Sequence, residues 1–373
     1  MKFIRIALVA TLFILSACKS EETITQKRPQ KVILLIGDGT GLAQVSTAFY
    51  FKETSPNYGR FKHLGLIKTS SSQQDITDSA AAGTAFACGI KTYNGAIGVA
   101  DDSTKVKNIV EIISSKNIKS GLISTSSITH ATPASFYAHV LRRGYEEDIA
   151  SDFVESDVDF IAGGGINFFN KREDGRDLLA ELAQKNFEID TTAIGDFSTI
   201  QSSSKVAYLL AENHMPPAAE GRGGFLANAT ELAIQFLGKD ESDFFMMVEG
   251  SQVDWGGHAN NGDYLVSELI DFDDAIGKAL DYAEQDGNTL VIVTADHETG
   301  GLTLSSTLKK TEEGREYSDY DDIDLTFSTS GHSATLVPVF AYGPGAEEFA
   351  GIYENTEIFE KILKLTEWRG EGE

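Results

Sequence analysis

Short apolar runs recur along the chain at residues 32–36, 121–124, 158–162, 244–248, 290–294 and 337–342. They are too short for helices, rich in Val, Ile, Leu and Phe, and mostly continuous rather than alternating. That pattern predicts strands buried on both faces. Between them, apolar positions return at helical spacing over residues 107–115, 134–141, 177–183, 228–237 and 264–283. Strand and helix in alternation predict an α/β fold of three layers, a central and mostly parallel sheet flanked by helices. Residues 302–330 break the pattern; they are acidic and irregular and read as a surface excursion. There is no internal repeat and no low-complexity linker, so one domain is expected over residues 31–366.

The polar residues at the ends of these runs change the picture from fold to chemistry. Asp38, Thr132, Glu249 with Asp254, and Asp296 with His297 all follow a predicted strand closely. Ligand sites of open α/β sheets form at the carboxyl ends of strands, so these scattered segments can converge on one edge. His332 precedes its strand and has to reach the site from a loop.

The stretch Thr77-Asp78-Ser79-Ala80-Ala81-Ala82-Gly83-Thr84 places a serine before an Ala-rich, helix-forming run. Free N–H groups at such a helix start favour an anion. Taken alone, Asp78 or Ser79 reads first as an N-cap. Metal coordination is one way to turn the serine into a nucleophile. In Glu249-Gly250-Ser251-Gln252-Val253-Asp254-Trp255-Gly256-Gly257-His258, one helical turn puts Asp254 and His258 on the same side. A carboxylate and an imidazole suit zinc, and Glu249 offers the hard oxygen that magnesium prefers. In Asp296-His297-Glu298, the first two residues can reach one metal, while Glu298 reads as a supporting or solvated group. Ser330-Gly331-His332-Ser333 offers a lone histidine, a residue that is usually structural. Thr129-His130-Ala131-Thr132-Pro133 opens a predicted helix. About three turns on, Arg142 or Arg143 could aim a planar fork at a phosphate.

In this order the motifs resemble those of the alkaline phosphatases, from Lys31 to about Gly345. The resemblance implies hydrolysis of small phosphate monoesters through a phosphoserine on Ser79, with two zinc ions, one magnesium ion and an alkaline optimum. It assigns Asp254, His258 and His332 to one zinc. Asp38, Asp296 and His297 go to the other, and Asp38, Thr132 and Glu249 to magnesium. Arg143 aligns with the phosphate-binding arginine, with Arg142 as the alternative register. His130 and Trp255 stand where one well-known bacterial form has Asp and Lys, which implies a looser grip on phosphate. The rival readings are a phosphodiesterase of the superfamily and a non-catalytic metal-binding surface lipoprotein. A homodimer is a further expectation, since the family is often dimeric.

Composition bounds the partners. With 373 residues and a formal net charge of −25, the chain lacks the basic surface that nucleic acid requires as a main partner. Lys2 and Arg5 precede an apolar run at residues 6–15, the pattern of a targeting segment. It ends in Leu15-Ser16-Ala17-Cys18, which resembles a lipoprotein lipobox. The expectation is a signal peptide at 1–17, a lipid on Cys18, a tether over 18–30, and export to the outer membrane facing the periplasm or the cell surface. Cys88 is then the sole other thiol, so no internal disulfide forms, and its Ala/Gly-rich surroundings predict a buried apolar role.

Overall fold

The computed structural model describes residues 28–369. The expected leader, the lipidated Cys18 and most of the tether lie outside the described residues. Ten strands form one sheet: β1 (Lys31–Gly37), β2 (His63–Lys68), β3 (Lys119–Ser127), β4 (Phe160–Gly164), β5 (Phe187–Asp190), β6 (Lys205–Leu209), β7 (Phe244–Gly250), β8 (Thr289–Thr294), β13 (Val337–Tyr342) and β14 (Gly351–Glu354). Four more make two small antiparallel pairs: β9 (Glu298–Thr299) with β12 (His332–Ser333), and β10 (Leu302–Lys310) with β11 (Glu316–Phe327).

The sheet order is β14-β2-β13-β8-β1-β7-β3-β4-β6-β5. Only β13 runs against its neighbours. Alternate residues of the central strands feed two separate cores, because successive side chains point to opposite faces. Val32, Leu34 and Ile36 join one core, and Ile33 and Leu35 the other. Helices Ser79–Cys88, Glu146–Val154, Leu178–Gln184 and Thr356–Thr366 cover the first face. Helices Phe225–Leu237 and Gly262–Asp286 cover the second. This is the three-layer α/β fold with a mostly parallel sheet that the patterning predicts.

Two local expectations are corrected. Residues 134–141 are not a helix: the helical turn Ala131–Ala134 stops, and Val140 instead pairs with Ile97 in an antiparallel bridge. Phe136, Tyr137 and Ala138 are all buried, so tertiary contacts override a helix-like apolar spacing. Residues 302–330 are not irregular. Most of them form the β10–β11 ribbon, which is largely exposed and carries its acids on its surface, with Lys309 bound to Asp319 and Asp322.

Register sets the site. Ile36 lies opposite Glu249 on one side and Thr294 on the other, and Ser124 lies opposite Glu249. The central strands therefore end level with one another, and the residues that follow them share one edge.

Candidate active site

Asp38 leaves β1 with its N–H donating to the Gly250 carbonyl at 3.1 Å. The chain then turns through Gly39, whose φ is +71° and whose N–H donates to Asp296 Oδ1 at 3.1 Å. A Cβ at Gly39 would stand 2.6 Å from the Asp254 Cα, so only glycine lets these two segments meet. Glu249 ends β7. Its Oε2 accepts from Ser124 Oγ at 2.6 Å and from Ser251 Oγ at 2.7 Å. The buried polar end of β3, Ser124 to Ser127, thus orients one face of this carboxylate.

Three carboxylates here are completely buried: Asp38, Glu249 and Asp296. Burial pushes all three pKa values up, and for Asp38 the charges of Asp296, Asp254 and Glu249 add to the rise. Both oxygens of Asp38, Glu249 Oε1, Asp296 Oδ2 and the Thr132 hydroxyl have no hydrogen-bond partner. Buried acceptors without partners are costly. Five in one place describe a cage that wants cations.

The histidines give the same result. His258 Nδ1 lies 2.6 Å from the Ser330 carbonyl, and His332 Nδ1 lies 2.9 Å from the Thr77 carbonyl. A carbonyl only accepts, so each Nδ1 carries the proton and each Nε2 presents a lone pair. The two Nε2 atoms face each other at 3.2 Å, with Asp254 Oδ2 3.3 Å from that of His258. Lone pairs so placed repel unless a cation lies between them. His297 stacks on His332 with ring centroids 3.5 Å apart. Its Nε2 is 3.2 Å from Asp296 Oδ2 and 3.6 Å from Asp38 Oδ1. Burial, then the neighbouring His332, lowers its pKa to about 3, so it is a neutral ligand at any working pH.

Three donor groups emerge: Asp254, His297 and His332; Asp38, Asp296 and His297; and Asp38, His130 and Glu249. His258 joins the first through the contacts above, and Thr132 stands beside Glu249 in the third. Nitrogen and carboxylate donors fit zinc in the first two, and the oxygen-rich third fits magnesium. The donor set therefore accommodates two zinc ions and one magnesium ion.

Ser79 sits at the first position of helix Ser79–Cys88, 2% exposed, with its Oγ 3.4 Å from His297 Nε2. Asp78 is the N-cap, accepting from the Ala81 N–H at 3.0 Å. The cap role thus falls to Asp78 and not to Ser79. Arg143 donates to Asp78 Oδ2 at 3.2 Å and contacts His130 Nε2 at 2.9 Å, while Arg142 is exposed. Arg143 arrives through the strand-like bridge, its N–H bound to the Gly95 carbonyl, and not along a helix.

Trp255 is half-buried and packs edge-on against His130 at 6.3 Å and His214 at 4.8 Å. Sequence reasoning missed His214, whose Nδ1 accepts from the Ser127 N–H at 3.1 Å. It lies in a loop before Pro216 and Pro217 with no motif around it. It also missed Ser124 and Ser251, although a run of polar residues closing a buried strand was a usable signal. Glu298 is buried and bonds Gln44, the Gly301 N–H and Ser333, so it holds the framework of the site.

A hydroxyl at a helix start, an arginine beside it and a cage of cation ligands are the parts that a metal-dependent phosphoryl-transfer site requires. The chain belongs to the alkaline phosphatase family: the family model described as Alkaline phosphatase matches residues 29–316. It is 32% identical to Alkaline phosphatase 3 of Bacillus subtilis (strain 168), over 92% of this chain and 90% of that one. It is 27% identical to the alkaline phosphatase of Escherichia coli (strain K12), over 91% and 86%. Among solved structures, alkaline phosphatase from the Antarctic bacterium TAB5 superposes with a TM-score of 0.90 at 64% identity, covering 92% of this chain and all of that one. The protein is a metal-dependent phosphatase.

Proposed function

We propose that residues 31–366 act as one catalytic domain in which Ser79 attacks the phosphorus of a small phosphate monoester. The observation that carries this reading is the place of Ser79 Oγ, 3.4 Å from Nε2 of His297, a member of two of the donor groups. Asp254, His258 and His332 are assigned to one zinc, Asp38, Asp296 and His297 to the other, and Asp38, Thr132 and Glu249 to magnesium. The bound ions supply Lewis-acid stabilisation of oxygen charge.

The chain's own residues do the rest. The Ser79 oxygen gives up its proton and bonds phosphorus as the bond to the leaving oxygen breaks; the leaving oxygen takes up a proton in turn, so a phosphoserine and the free alcohol result. Water then attacks phosphorus, the Ser79 oxygen leaves, and inorganic phosphate is released. Arg143 spans two phosphate oxygens with its planar fork and offsets charge in both steps. Its contacts with Asp78 and His130 support this choice over Arg142, because they aim the guanidinium across the helix start. His130 is the nitrogen donor in the third group, with the carboxylates of Asp38 and Glu249. Structures of the TAB5 enzyme with one histidine changed to Asp or Glu hold magnesium in the M3 site. His130→Asp is accordingly expected to tighten magnesium here.

Ser79→Ala is the test. Turnover of an aryl phosphate should fall by more than about a thousandfold, with metal content near normal. Retained turnover would remove Ser79 from the mechanism.

We also propose export with a lipid on Cys18, supported by Leu15-Ser16-Ala17-Cys18 after an apolar run. Among the described residues no helix is long and apolar enough to cross a membrane. Cys18→Ser should shift the protein from the membrane fraction to the soluble one. A homodimer is proposed from family likeness, to be checked by its mass in solution.

A further inference from the structure

Beside the phosphate site lies an open cleft of about 640 Å³ lined by Tyr93, Leu141, Arg142, Arg143 and Tyr145. Asn94 and Gly95, which also line it, are tied to the start of helix Ser79–Cys88. The Asp78 N–H donates to Asn94 Oδ1 at 3.2 Å, and the Gly95 N–H donates to Asp78 Oδ1 at 3.0 Å. With Arg143 on Asp78 Oδ2, three residues of the cleft hold the residue before Ser79. The cleft and the attacking oxygen are therefore fixed to one another.

Its chemistry is unusual for this chain. The net charge is −25, yet no carboxylate lines the cleft. Among the described arginines, only Arg142 and Arg315 lack a carboxylate partner. Glu146, close in sequence, turns away to accept from the Thr129 hydroxyl at 2.8 Å. Leu141 and Tyr145 are 46% and 47% exposed, and the Tyr93 hydroxyl is held by the Leu141 carbonyl at 3.1 Å. A free cation beside exposed flat and apolar side chains fits a ligand with a ring and a negative charge. The volume suits a nucleotide-sized group.

We propose that this cleft is a leaving-group subsite for phosphorylated substrates whose departing part carries both a flat ring and a second anionic group, as in nucleoside diphosphates. The terminal phosphoryl group goes to Ser79, Arg142 binds the phosphate that leaves with the nucleoside, and the base lies on Tyr93 and Tyr145. Water and a nucleoside diphosphate give a nucleoside monophosphate and inorganic phosphate. This rests on the phosphatase reading above and adds substrate choice to it.

The experiment compares adenosine diphosphate, adenosine monophosphate and glycerol phosphate on the metal-loaded full chain, wild type and with Arg142→Ala or Tyr145→Ala. Arg142→Ala should lower kcat/KM for the diphosphate about tenfold through KM. It should change glycerol phosphate less than about twofold, because that leaving group has no second charge to lose. Tyr145→Ala should weaken both adenosine substrates and spare glycerol phosphate. Equal effects of Arg142→Ala on all three substrates, or none, would overturn the subsite while leaving the phosphatase reading intact. A wild-type protein inactive on all three would instead sink that reading. Arg142 is exposed, so its replacement does not threaten the fold.

Discussion

At its inner end the donor cage consists of Asp38, Glu249 and Asp296, all without solvent exposure. At its outer end His258 and His332 leave 42% and 17% of their side chains exposed. The inner end is made of carboxylates whose charges burial makes unwelcome. The outer end is made of imidazoles fixed by backbone carbonyls. The difference separates two tasks. Inner carboxylates are stable as anions only with cations among them, so this end ties metal to folding. The outer end is anchored by backbone carbonyls and is the more exposed, so its ion is the one more readily exchanged.

The largest expected effect tests that both ends need their ions. Thorough chelation should cut turnover by more than about a thousandfold, and zinc with magnesium should restore it. A rate indifferent to chelation would break the comparison outright. Next, His258→Ala should lower activity about 10- to 100-fold, with much of the loss recovered in excess zinc. Metal analysis should find the inner ions still in place. Loss of all ions together would mean that the two ends are a single unit.

A third prediction isolates the inner charge. The Asp38 pKa is raised in the folded, metal-free protein. Between the ordinary carboxylate value and that raised value, the folded state holds a proton that the unfolded chain has lost. Stability from this group therefore falls as pH rises through the interval. Asp38→Asn in metal-free protein should then raise Tm by about 2–4 °C at pH 8 and leave it nearly unchanged at pH 4. A decrease at pH 8 would contradict the assignment. The smallest effect sharpens the boundary of the cage. Glu298→Gln should cost about 1 kcal/mol in denaturant unfolding, through its bonds to Gln44, Gly301 and Ser333. Turnover should change less than about threefold, since Glu298 touches no donor oxygen or nitrogen of the cage.

Much of this was legible in the sequence. The six predicted strands are present because they are buried on both faces, Phe340 and Tyr342 of the last excepted, and a continuous apolar run has few other uses. Strands His63–Lys68, Phe187–Asp190, Lys205–Leu209 and Gly351–Glu354 were not read. They sit toward the sheet edges or are only partly buried, so their apolar content is diluted. The ribbon was misread because its many acids hid an alternation such as Asp322-Ile323-Asp324-Leu325. The metal donors were readable as residue types at strand ends. The bonds that tune them, such as Thr299 Oγ1 to Asp254 Oδ1 at 2.5 Å, join residues far apart in the chain. No local pattern encodes such a pair, and His214 is hidden for the same reason.

The level ends of the central strands have one more consequence, for the order in which the molecule is completed. The cage draws its donors from Asp38 near one end of the fold to His332 near the other. No short fragment of the chain contains a whole ion site, since even the most local joins Asp254 to His332, and contacts of such long sequence separation form late and slowly. A polypeptide that stops short of His332 lacks a ligand of the first donor group, however much of the sheet it has assembled. Filling of the whole cage is thus a checkpoint: only when all its ions are held firmly have the segments of Asp38 and His332 both reached the site.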